Sequence, residues 1–95
     1  MRYPVYKYAK KKAKESLEWN KNQPRSKRVG TFIGRYRARQ LINNDYVSEA
    51  TAKRIVAFYD RFKGCGTERC EQALNLWGGR RYGKRLKEMM SKWVT

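Results

Sequence analysis

Positive charge in this 95-residue chain is stored at its two ends, and that placement limits where a core can form. Residues 1–39 carry 13 lysines and arginines against only Glu15 and Glu18, a net of +11. Residues 40–79 balance five basic residues with five acids, and residues 80–95 return to +5 through six basic residues against Glu88. Like charges packed this densely repel one another, so the neutral middle is expected to supply the scaffold. The two ends then present cationic surfaces to a polyanion, with nucleic acid the first candidate.

A chain of this length makes one small domain and buries roughly 60–65% of its unfolded surface, enough for one modest core. Aromatic residues make up 14% of it, which argues against a wholly disordered chain despite the net charge of +16. No apolar run approaches the ~20 residues that span a bilayer, so no membrane role is expected. Lys7 and Lys10 to Lys12 interrupt anything resembling a secretory signal, which favours an intracellular or packaged protein, in a host cytoplasm, nucleoid or virion.

Periodicity predicts an all-α fold of four to five short helices with a basic N-terminal arm or helix. The division expected is a basic helix and linker over 1–29 and a compact helical domain over 30–95. Residues 5–20 permit a helix, with Tyr6, Ala9, Ala13 and Leu17 on one side, and Pro24 closes it into a basic linker. A second helix is predicted from Thr31 to Asn43, with Ile33, Tyr36, Gln40 and Leu41 inward. Ser48 has the chemistry of an N-cap for a third helix, Glu49 to Phe62, whose stripe is Ala52, Ile55, Val56, Tyr59 and Phe62. Thr67 caps a fourth from Glu68 to about Trp77, and Gly78-Gly79 stops it. The last helix runs from Arg80 or Arg81 to Trp93, with Tyr82, Leu86 and Trp93 inward and Arg81, Lys84, Arg85 and Lys92 outward. Strand signals are weak throughout. Ile33, Leu41, Ile55, Phe58, Leu74, Trp77, Leu86 and Trp93 are the expected framework.

From Arg37 onward the spacing resembles a small helical module of bacteriophage-encoded proteins. The residues that carry the likeness are Arg37-Ala38-x-x-Leu41, then Val47-Ser48-x-x-Thr51-x-x-Arg54-Ile55-x-x-Phe58-Tyr59-x-Arg61, then Leu76-Trp77-Gly78-Gly79. It covers roughly residues 35–90. Phe62 stands where the module often has histidine, and Arg80-Arg81 where it tends to have an acid. The resemblance implies a helical fold and a viral origin rather than a defined activity. Val47 to Ile55 is also similar to the start of a helix-turn-helix recognition helix, but the turn from Asn43 to Val47 is longer than that motif uses.

The expected phosphate contacts are Lys10, Lys11, Lys12, Lys14, Arg25, Lys27 and Arg28 in the arm, Arg35, Arg37 and Arg39 in the second helix, and Arg80, Arg81, Lys84 and Arg85 in the last. Basic residues oppose the dipole at a helix N-terminus, so Arg80 and Arg81 are read as phosphate ligands there. Tyr3, Tyr6 and Tyr8 interleave with Arg2, Lys7 and Lys10, which suits either stacking on unpaired bases or packing into a core. The partner expected is DNA or RNA, with an acidic host or virion protein as the alternative. Without histidine, a P-loop or a recognisable carboxylate pair, catalysis has no apparent basis, and no cofactor or metal is expected. Two thiols without imidazole do not close a zinc site; a disulfide between Cys65 and Cys70 is geometrically conceivable, but in an intracellular chain they are read as part-buried reduced thiols.

Overall fold

The computed structural model describes residues 2–28 and 32–94, with side chains for all of these except 32 and 92–94. The expected start at Thr31, the inward Trp93 and the outward Lys92 lie outside what is described. Five α-helices form: α1 Lys7–Lys21, α2 Phe32–Asn43, α3 Glu49–Phe62, α4 Glu68–Leu76 and α5 Gly79–Val94. A 3-10 turn, Arg25–Lys27, joins α1 toward α2, with Pro24 at its N-cap. The fold is all-α, with one addition. Two three-residue strands, β1 Arg2–Pro4 and β2 Tyr46–Ser48, pair antiparallel with Tyr3 opposite Val47.

The α1 helix stands at the centre of the fold. Ala9 and Ala13 are fully buried, Ala9 in a cluster with Tyr3, Leu41, Ile55, Tyr82 and Leu86, Ala13 in a second with Ala38 and Leu76. The Ser16 hydroxyl donates to the Gln72 carbonyl at 2.7 Å, tying α1 to α4. Small side chains let neighbouring helices approach α1 closely. Its lysines therefore occupy the flanks, and the helix is packed against α2, α4 and α5. Buried leucines such as Leu41, Leu74 and Leu86 each contribute about 1.5–3 kcal/mol.

The caps follow the local chemistry. Ser48 Oγ accepts from the Thr51 amide and Thr67 Oγ1 from the Cys70 amide, both at 3.2 Å, and each such cap is worth about 1 kcal/mol. Gly78 and Gly79 have φ of 99° and 90°, the left-handed region, which lets α4 turn directly into α5. Further along α5, Gly83 lies so close to α3 that a Cβ there would stand 2.6 Å from Tyr59 Cβ.

Two expectations need correction, and one alternative is decided. Ile33 and Tyr36 are 59% and 55% exposed, so α2 presents a different face from the one expected. The inward residues are Gly34, Arg37, Ala38 and Leu41, with Gly34 against Leu76 and Trp77. Close approach by small residues outweighs the larger apolar side chains. Of the two alternatives for Tyr3, packing into the core is the one observed: it is buried in the β-ribbon. Cys65 and Cys70 form a disulfide rather than two thiols, with Cα atoms 6.0 Å apart. The Gly64 and Gly66 loop and the Thr67 cap bring Cys65 beside the first turn of α4, where Cys70 sits.

Candidate nucleic-acid interface

On α1, Lys14 and Lys21 are two turns apart and share a face; on α2, Arg35 and Arg39 are one turn apart and do the same. Where these two faces meet beside the 3-10 turn, they line a groove of about 840 Å³ that Arg25 and Arg28 complete. Six cations border it against one acid, Glu18. Among the described residues, none of the six has a carboxylate within 4.0 Å. Arg28 is exposed, and its Nε donates to the Gln23 carbonyl at 3.2 Å. Like charges one turn apart on a helix are mildly destabilising, so this arrangement favours an incoming anion.

Other expected contacts are committed inside the protein. Lys10 Nζ donates to the Ile42 and Asn44 carbonyls at 3.2 and 2.8 Å and lies 3.3 Å from Asp45, closing the C-terminus of α2. Arg80 is held more fully. Its Nε meets Glu71 Oε2 at 2.7 Å, Nη1 the Lys63 carbonyl at 2.6 Å and Nη2 the Cys65 carbonyl at 3.0 Å. The position against the dipole is thus answered inside the protein by a carboxylate and two carbonyls, so no phosphate is needed to explain the cation there.

Arg37 is only 4% exposed, lies over the Trp77 ring at 5.2 Å and donates to Gln40 Oε1. Its Nε has no hydrogen-bond partner among the described residues. Burial, then the nearby Arg54 charge, hold its pKa below the usual arginine value. Trp77 stacks in turn on Phe58 and Phe58 on Phe62, each pair with centroids 4.4 Å apart. Arg37 therefore belongs to the interior, away from the groove. Lys11, Lys12 and Lys27 are exposed on α1 and the 3-10 turn, outside the groove lining.

Arg81, Lys84 and Arg85 gather elsewhere, on the first turns of α5, around a cleft of about 440 Å³ that also holds Tyr6, Tyr8 and Glu88. The structure thus separates the fourteen expected cations into two clusters, an internally held set of Lys10, Arg37 and Arg80, and three exposed lysines, Lys11, Lys12 and Lys27, outside both. Lys21 was not foreseen as a contact, although its seven-residue step from Lys14 marks a shared helix face. Ser48 and Thr51 share a hydroxyl hydrogen bond at 3.2 Å and cap α3, an arrangement distinct from base-reading residues of a helix-turn-helix.

Among the described residues, no helix is long and apolar enough to cross a membrane, and no cluster of three or more His, Cys, Asp or Glu side chains could hold a metal ion. No protein-family model, curated protein or solved structure matches the chain.

Proposed function

We propose that this chain is a non-enzymatic nucleic-acid-binding protein that grips the phosphate backbone in the α1–α2 groove with little sequence specificity. The observation that carries the reading is the set of six groove cations with no carboxylate partner among the described residues. Side chains that served only solubility would gain from nearby acids, and the chain does supply such acids to Lys10, Lys63, Arg80 and Lys87. A groove left uncompensated suits a ligand that brings its own regular negative charge. Phosphate contacts of this kind release counterions, and they position a nucleic acid without reading its bases. The module resemblance adds a viral setting to the same reading.

The test is binding of random-sequence duplex across a salt series. Six phosphate contacts predict an affinity loss of about 10³-fold between roughly 50 and 200 mM salt. A flat response, or tight capture of an acidic protein with no nucleic acid bound at low salt, refutes it.

A further inference from the structure

We propose that the Tyr6–Tyr8 pair, with Arg81, Lys84 and Arg85 around it, is a seat for an unpaired nucleobase, so that this face takes single-stranded nucleic acid. The inference rests on the phosphate-binding reading above and adds a ligand class to it. The Tyr6 and Tyr8 rings are parallel within 7°, with centroids 5.3 Å apart, and both are half-buried. Their placement is fixed from beneath. Tyr82, fully buried, meets them edge-on at 6.1 and 6.4 Å, and its hydroxyl donates to the Pro4 carbonyl at 2.8 Å. The Tyr6 hydroxyl donates to Met89 Sδ at 3.7 Å, and Arg85 lines the same cleft. Rings held this way lose little freedom when a ligand arrives.

The guanidinium carbon of Arg81 lies 4.2 Å from the Tyr8 ring centroid. One face of Tyr8 therefore already receives a cationic group at cation–π distance. A nucleobase is flat, stacks on tyrosine, and accepts a guanidinium on its other face. Arg81 is exposed and held by no carboxylate within 4.0 Å among the described residues, so it is able to swing out and close over a base. Lys84 stands at the same cleft for the flanking phosphates, beside Arg85, whose one acidic neighbour within 4.0 Å among the described residues is Glu88. The cleft volume, about 440 Å³, falls in the range of small-ligand sites. In a duplex the base faces are covered by their neighbours, so only an unpaired base reaches the ring. Arg81 also sits in the first turn of α5, where a cation opposes the helix dipole, and unlike Arg80 it has no carboxylate within 4.0 Å among the described residues to explain it.

The experiment compares oligo-dT, oligo-rU and an abasic strand of equal length, which carries the same phosphates without bases. The expected result is base-bearing strands bound about 5- to 150-fold more tightly per stacked base than the abasic strand. In Tyr8→Leu that advantage disappears while abasic binding is unchanged; in Tyr8→Phe, which keeps the ring, it persists. Arg81→Gln, a surface change, reduces the advantage and serves as the check if Tyr8→Leu does not fold. A gain on dT alone or rU alone supports the seat and names the strand chemistry it prefers. Equal binding of abasic and base-bearing strands by the wild type overturns the seat and leaves the groove reading standing. Failure of every strand and of duplex to bind at low salt overturns both.

Discussion

The α1–α2 groove and the junction of α3, α4 and α5 use the same kinds of side chain to opposite ends. At the junction, Asp60 takes Lys87 at 2.7 Å and Lys63 at 3.4 Å, while Glu71 takes Arg80 at 2.7 Å. Those cations are structural: they join helices and answer orphan carbonyls. In the groove, six cations share one acid and none is paired among the described residues. Net charge alone does not locate a binding face in so basic a chain. What distinguishes one is the lack of an internal partner.

The comparison breaks most readily through the groove. Neutralising Lys14, Arg35 and Arg39 together to Gln should weaken duplex binding about 10²–10³-fold at roughly 0.1 M salt, as expected for three lost phosphate contacts. The melting temperature should hold or rise, because repulsion within the groove is relieved. Arg80→Met should show the reverse pattern. Losing a charge-assisted bond and two bonds to carbonyls costs about 2 kcal/mol of stability, read by denaturant titration, with duplex affinity unchanged.

Arg37→Met sharpens the contrast further. A buried cation with one unpartnered nitrogen gives up little when replaced by an apolar chain of similar length, so stability should change by less than about 1 kcal/mol and binding not at all.

The smallest effect is the pH dependence at Asp60. Its hydrogen bond from Lys87 first, with Lys63 assisting, holds its carboxyl below the usual aspartate range against a modest desolvation penalty. The stabilisation is present above the unfolded value of about 3.9 and is lost as pH falls through the lower folded value. Lys87 is raised by the same bond, so its share is full below about 10.4 and is lost as pH rises through the folded value. Asp60→Asn should lower the melting temperature slightly at neutral pH, with the gap to wild type closing in strong acid and strong base.

Local signals in the chain were strong where structure depends on near neighbours. Ser48 and Thr67 cap as their chemistry dictates, α3 spans Glu49–Phe62 as its apolar stripe requires, and the paired glycines turn α4 into α5. Non-local choices were not legible. The β-ribbon joins residues more than forty apart through three-residue strands, too short to show alternation. The buried face of α2 follows Gly34 and Ala38 against α1 and α4, which apolar size alone does not reveal. For the candidate interface, Lys14, Arg25, Arg28, Arg35 and Arg39 were legible as cations, and their convergence follows from helix spacing. Arg80 and Arg37 looked equivalent to them, because the partners that occupy them, Glu71 and Trp77, lie outside their own helices.

An NMR titration with a random duplex, following arginine and lysine side-chain signals, tests the distinction most directly. The account predicts that Lys14, Lys21, Arg25, Arg28, Arg35 and Arg39 shift together, while Lys10, Arg80 and Lys87 stay in place. Shifts centred on Arg80 and Lys87 with the groove silent would contradict it.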